Sequence, residues 1–190
     1  MAKGRRGRLV VISGPSGSGK TTVCDRLLAE PDISRAVTAT TRKPRPGERD
    51  GIDYFFYDEE TFRRGIRDGK FLEWAEVYGR LYGTPAAPLE AQLAAGKTVL
   101  LNIDVQGASE LMRRGVDALT VFIEPPSLEE LRRRLMARGA DDAESIERRL
   151  ETARTELAEK DRYDHRVVNA DLDRTVEEIL ARIRAVPERT

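Results

Sequence analysis

Arg8-Leu9-Val10-Val11-Ile12-Ser13-Gly14-Pro15-Ser16-Gly17-Ser18-Gly19-Lys20-Thr21-Thr22 is the stretch on which the fold turns. Leu9 to Ile12 run apolar without a break, as a strand buried on both faces requires. The next eight residues, Gly14 to Thr21, match G-x-x-x-x-G-K-[ST] in full. Glycines at those positions let the backbone turn tightly enough to aim successive N–H groups at phosphate oxygens. A helix expected over Thr21–Ala29, with Val23, Leu27 and Leu28 on one face, adds its positive end to the same cradle. Lys20 supplies a mobile charge for the β- and γ-phosphates, and the Thr21 hydroxyl suits Mg²⁺. Strand, loop and helix together open an α/β fold that holds a nucleoside triphosphate.

Outward from the loop the texture alternates. Thr98–Val105 and Thr120–Ile123 read as further buried strands, and Val167-Val168 as the last. Helices are expected at Leu89–Ala95, from the capping pattern Ser127-Leu128-Glu129-Glu130 onward, over Ala143–Lys160 and over Leu172–Val186. Between Val37 and Pro88 lie nine of the 11 aromatic residues, with Gly and Pro punctuation. Short strands at Thr38–Arg42 and Phe71–Val77 and a helix at Glu59–Asp68 make this an inserted mixed module rather than another strand–helix repeat.

Composition sets the outer limits. The 190 residues suit one compact unit, and 33 basic residues balance 33 acidic ones, so no global field recruits nucleic acid or an anionic membrane. No apolar run is long enough to span a bilayer, and the basic N-terminus lacks the apolar stretch of a secretory signal. The single cysteine, Cys24, reads as a small buried apolar group and fits a reducing cytoplasm. Arginine occurs 27 times and lysine six, so an arginine counts only through its register with other residues.

That register exists. Thr38-Ala39-Thr40-Thr41-Arg42-Lys43-Pro44-Arg45-Pro46-Gly47-Glu48, Gly51-Ile52-Asp53-Tyr54, Phe71-Leu72-Glu73-Trp74-Ala75, Tyr82-Gly83-Thr84, Ile103-Asp104-Val105-Gln106-Gly107 and Arg138-Gly139 follow in order. With the phosphate loop they resemble the guanylate kinases, enzymes of the P-loop nucleoside monophosphate kinase group, from the loop to about Asn169. The resemblance implies a three-layer P-loop fold with a parallel central sheet, an inserted α/β module for GMP, and a helical lid. It divides the chain into core (8–36), insert (37–87), core (88–127), lid (128–158) and core (159–190). It implies transfer of a phosphoryl group from MgATP to GMP in purine nucleotide metabolism, in the cytoplasm, with no nucleic acid or membrane partner. It leaves dGMP open as an acceptor and does not choose between monomer and homo-oligomer.

By that resemblance Gly14, Pro15, Ser16, Gly17, Ser18, Gly19, Lys20, Thr21 and Thr22 hold ATP. Thr38, Glu73 and Thr84 read the guanine, because a carboxylate accepts from its N1–H and amine while the hydroxyls serve its remaining edge. Arg42 and Arg45 grip the acceptor phosphate with the Tyr54 and Tyr82 phenols, and Glu48 orients the arginines. Arg138 and Arg149 act as lid fingers alongside Lys20, Arg42 and Arg45 in catalysis. Asp104 serves Mg²⁺ with Thr21, directly or through water, or meets the guanine amine. Arg132, Arg133 and Arg148 are expected in solvent, Arg134 is assigned to neither role, and His165 is expected in a loop. No general base is required, since a phosphate dianion is itself the nucleophile. Asn102 stands where the family is usually acidic, which removes a charge from the metal's outer shell or from the acceptor site.

Three other readings are weaker on the residues. A silent protein-binding relative would lack the loop lysine or the acceptor arginines; a kinase for ribose bisphosphate or another nucleotide would not need Glu73. A switch GTPase would carry an N-K-x-D motif, which the sequence lacks.

Overall fold

The structure, a computed structural model, describes residues 6–77, 79–137 and 142–185. In chain order they form β1 (Arg8–Ser13), α1 (Lys20–Leu27), β2 (Ile33–Arg35), β3 (Thr38–Thr40), β4 (Tyr54–Phe56), α2 (Glu59–Arg67), β5 (Phe71–Val77), β6 (Arg80–Pro85) and α3 (Ala86–Ala94). There follow β7 (Thr98–Asn102), α4 (Val105–Arg113), β8 (Leu119–Glu124), α5 (Leu128–Ala137), α6 (Ala143–Ala158), β9 (His165–Val168) and α7 (Leu172–Ala185).

Five strands make a parallel sheet in the order β2-β7-β1-β8-β9, which puts the strand before the phosphate loop at its centre. Alternation along β1 builds both halves of the core. Val10 and Ile12 face Val23 and Leu27 of α1 and Ile179 and Ile183 of α7. Leu9 and Val11 face Leu89 and Leu93 of α3 and Ala108 and Leu111 of α4. The result is the expected three layers, helices on both sides of a parallel sheet. Each fully buried Val or Ile on β1 contributes about 1.5–3 kcal/mol, enough that a polar substitution there would undo the centre of the sheet.

The second sheet, β4-β3-β6-β5, is mixed: β3 pairs parallel to β4, while β6 runs antiparallel to β3 and β5. Phe62 of α2 stacks on Phe71 at 4.4 Å between ring centroids, and with Ala39 and Leu81 they form a separate small core. A third cluster joins α5 and α6 through Leu131, Leu135, Ile146, Leu150 and Ala153.

Several elements differ from the sequence reading. The strand expected to reach Val105 stops at Asn102, because Asp104 accepts from Gly107 N–H at 2.9 Å and caps α4. The strand expected over Thr38–Arg42 ends at Thr40, whose hydroxyl takes the Arg42 N–H at 3.1 Å and turns the chain. The helix expected from Leu89 starts at Ala86, with Pro88 tolerated in its first turn. The charged helix expected to reach Lys160 closes at Ala158 before a 3₁₀ turn over Lys160–Arg162. His165, expected in a loop, is the first residue of β9 and sits opposite Val121. Arg138, Gly139 and Val186 lie outside the described residues.

Candidate active site

The loop between β1 and α1 closes on itself through Ser18 N–H to Pro15 C=O at 3.1 Å. Gly19 takes φ of 96° at the start of α1, and a Cβ there would lie 2.3 Å from the Asn169 side-chain nitrogen. Only glycine fits both the backbone and the space. Lys20 reaches back over the loop, its ammonium donating to Gly14 C=O at 2.6 Å and Pro15 C=O at 2.9 Å. Ser18 is fully buried, whereas Thr21 and Thr22 open to solvent at the helix start.

Four residues at the loop do not stand out in the sequence. Asn169, buried at the end of β9, donates to Ser18 C=O at 2.8 Å. Arg134 of α5 donates to the same carbonyl at 3.3 Å and to Asn169 C=O at 3.1 Å, while Glu130 holds its Nε at 2.8 Å. Arg134 therefore braces the loop, in contrast to exposed Arg132 and Arg133. Glu156 of α6 lies against the loop from the other side. Burial and the Asp104 carboxylate push it up to about 6, while Lys20 and a hydrogen bond from the Ser16 backbone N–H pull it back. Arg149, half-buried, precedes Glu156 by two turns on the same face of α6. That i, i+7 spacing from Arg149 is the one signal in the sequence that could have pointed to Glu156.

The phenols and arginines of the insert form one cluster. Glu48 accepts from the Arg42 guanidinium at 2.8 Å and from the Arg45 backbone N–H at 2.7 Å. Arg42 lies 5.3 Å above the Tyr54 ring, and Tyr82 meets Tyr54 edge-on at 6.4 Å. The hydrogen bond from Arg42 holds Glu48 below the ordinary carboxylate range, and the same bond raises Arg42. Burial raises the Tyr54 phenol, so it stays a donor. The Arg45 side chain is exposed, and Thr38 faces Tyr54 across the β3–β4 pair.

A second cluster lies where the mixed sheet meets α4. Glu73, 2% exposed on β5, accepts from the Thr84 hydroxyl of β6 at 2.5 Å. Burial pushes its carboxyl up to about 7; Asp104 adds to the rise, and Thr84 and Arg114 oppose it. Asp104 spends one oxygen on capping α4. Asn102, exposed at the end of β7, lines a cleft with Cys24, Thr38 and Tyr54, on the insert side of the sheet. Cys24 is buried at 2% exposure, which pushes its thiol up to about 12 and leaves it inert as a nucleophile.

A phosphate cradle, an arginine–phenol cluster and a buried carboxylate thus sit around the C-terminal ends of parallel strands, where open α/β folds bind ligands. The guanylate kinase family model matches residues 6–186. Over 183 residues the chain is 49% identical to the guanylate kinase of Rubrobacter xylanophilus, covering 96% of each protein. It is 47% identical to that of Thermus thermophilus over 188 residues, covering 99% of this chain and 84% of the relative. The crystal structure of guanylate kinase from Anaplasma phagocytophilum superposes with a TM-score of 0.80 at 38% identity, over 98% of this chain and 89% of that one. From the loop through to the closing helix, the chain belongs to the guanylate kinase family of phosphotransferases, which phosphorylate GMP to GDP with ATP.

Proposed function

We propose that this chain catalyses ATP + GMP = ADP + GDP, with the donor on the β1–α1 loop and the acceptor in the insert, residues 37–87. The lid is residues 128–158, and residues 8–36, 88–127 and 159–190 form the core. The reading is carried by Glu73: a buried carboxylate with which no basic side chain forms an ion pair among the described residues. A purine that offers an N–H and an amine side by side supplies the two donors that such a group needs.

Gly14 to Thr22 wrap the donor phosphates, all but Pro15 having a backbone N–H, and Lys20 leaves the loop carbonyls to meet them. Arg42, Arg45, Tyr54 and Tyr82 fix the acceptor phosphate in line, with Glu48 setting the arginines. Thr38, Glu73 and Thr84 hold the guanine, and Arg138 and Arg149 bring charge to the migrating group.

Mg²⁺ fits the residues present. Among the described residues no cluster of three His, Cys, Asp or Glu side chains forms a metal cage. Magnesium does not ask for one, since it keeps waters and takes one or two protein oxygens beside the phosphates. The solvent-facing Thr21 hydroxyl and the Asp104 carboxylate, directly or through water, would hold it. When bound there it would supply positive charge to neutralise the donor phosphates. Among the described residues no helix is long and apolar enough to cross a membrane. The one cysteine, free and buried, fits the reducing cytoplasm in which we place the enzyme.

A coupled assay offering GMP, AMP, UMP, dTMP and ribose 1,5-bisphosphate tests the acceptor. Glu73→Gln is expected to lower the GMP-over-AMP preference in kcat/KM about a hundredfold, because the amide turns a donor toward guanine N1–H or its amine. Equal losses with both acceptors would remove Glu73 from base reading.

The same group sets a pH dependence. Its folded value of about 7 lies above the ordinary 4.5, so it stabilises the ligand-free fold fully below pH 4.5. That contribution is lost as pH rises toward 7. Guanine needs the ionised form, so KM for GMP is expected to rise about eightfold between pH 7.5 and 6 in the native enzyme. In the Glu73→Gln variant only the titration of the GMP phosphate should remain, so a native profile no steeper than the variant's would contradict the assignment.

A further inference from the structure

We infer that Gly107, in the first turn of α4, is a specificity-positioning residue: its missing side chain leaves the seat in which the Glu73 carboxylate rests. The inference builds on the reading of Glu73 as the group that recognises guanine. A Cβ placed on Gly107 would lie 2.6 Å from Glu73 Oε2 and 3.2 Å from Glu73 Cδ. At 2.6 Å the carboxylate oxygen would have to move, at 3.2 Å its carbon would have to give by a few tenths of an ångström, and the carboxylate has little freedom to yield. Its other oxygen is held by Thr84 at 2.5 Å, and the group is 2% exposed. The strand behind it is held too, because Arg114 at the far end of α4 donates to Leu72 C=O at 3.0 Å. Helix α4 therefore grips β5 at Leu72 and shapes the space for Glu73 one residue later.

Nothing in the backbone asks for glycine here. Gly107 lies inside a helix, outside the set of glycines with positive φ, and alanine is the better helix former. Its N–H caps onto Asp104, a bond that alanine also makes. What alanine cannot do is share the space with Glu73. The core helix that starts beside the phosphate-loop strand thus fixes where the insert's carboxylate points.

The experiment compares the native enzyme with G107A, E73Q, E73A and the E73A/G107A double variant, using GMP and AMP as acceptors and following thermal unfolding in parallel. G107A is expected to raise KM for GMP about tenfold or more and to erode the GMP-over-AMP ratio, because the carboxylate is turned from the base edge. KM for ATP should stay within about twofold and Tm should not fall, which separates misdirection from loss of structure. In the E73A background, adding G107A should change KM for GMP by less than about twofold, since the methyl then enters vacated space. If G107A proves too unstable to assay, recovery of Tm in the double variant supports the seat, and no recovery overturns it. An unchanged KM for GMP in G107A, with the E73Q effect intact, overturns the seat alone; additive losses in the double variant do the same. If E73Q leaves the GMP-over-AMP ratio unmoved, the reading of Glu73 falls first and the seat falls with it.

Discussion

Lys20→Met is expected to lower kcat at least about 10³-fold while leaving GMP affinity within about twofold. Methionine keeps most of the length and bulk of lysine but brings no charge and no donor. The loop does not depend on Lys20 for its shape: Ser18 N–H to Pro15 C=O, Val23 N–H to Gly19 C=O and the Asn169 amide on Ser18 C=O remain. What disappears is the ammonium that now spans Gly14 and Pro15 and that would follow charge onto the transferring oxygens. The acceptor clusters at Arg42 and at Glu73 take no bond from it among the described residues. Steady-state turnover and calorimetric titration with GMP check both halves. A variant retaining a tenth of native kcat would mean that Lys20 is not the cation on the donor phosphates.

Arg149→Met should be nearly as damaging, about 10³-fold in kcat, whereas Arg148→Met should stay within about threefold. The two arginines are neighbours on one helix with opposite surroundings. Arg148 is exposed and pairs with Glu144 one turn away, a surface contact of little consequence. Arg149 is half-buried and shares its face of α6 with Glu156, which lies at the Ser16 backbone and in the field of Lys20. Arg149 shares with Glu156 the face of α6 that meets the loop, which is the ground for expecting it at the donor phosphates. Equal effects of the two substitutions on kcat would remove Arg149 from the reaction.

The core was legible because its signals are local. The phosphate loop is a contiguous motif, and β1, β7 and β8 announce themselves as unbroken apolar runs between turns. The helix at Glu59–Arg67 was likewise readable from its own residues, and Asp58 caps it through Thr61 N–H at 2.7 Å. β2 was missed because three residues with one buried side chain carry no period, and β6 because it lies in the stretch punctuated by glycine and proline. α4 was hidden by the apolar run that precedes it. The arginines and carboxylates of the insert had meaning only through family resemblance, since their chemistry is assembled across strands. Arg134 was masked by its own abundance: nothing in Arg132-Arg133-Arg134 distinguishes the one that meets Ser18, 116 residues away. Asn169 and Gly107 act through neighbours brought in by tertiary packing, and such roles leave no trace in spacing along the chain; Glu156 is marked only by its spacing from Arg149.

The central place of β1 also governs when the protein can be born. Val10 is flanked by Leu100 on one side and Leu119 on the other, both from the second half of the polypeptide. A ribosome releases the N-terminal strand first, long before either neighbour has been synthesised, so its apolar edge waits unprotected. Helix α7, which covers the same face, is made later than either neighbour. Assembly of the parallel sheet therefore waits until β7 and β8 have been made, and until then the apolar residues of β1 have no partner from the fold.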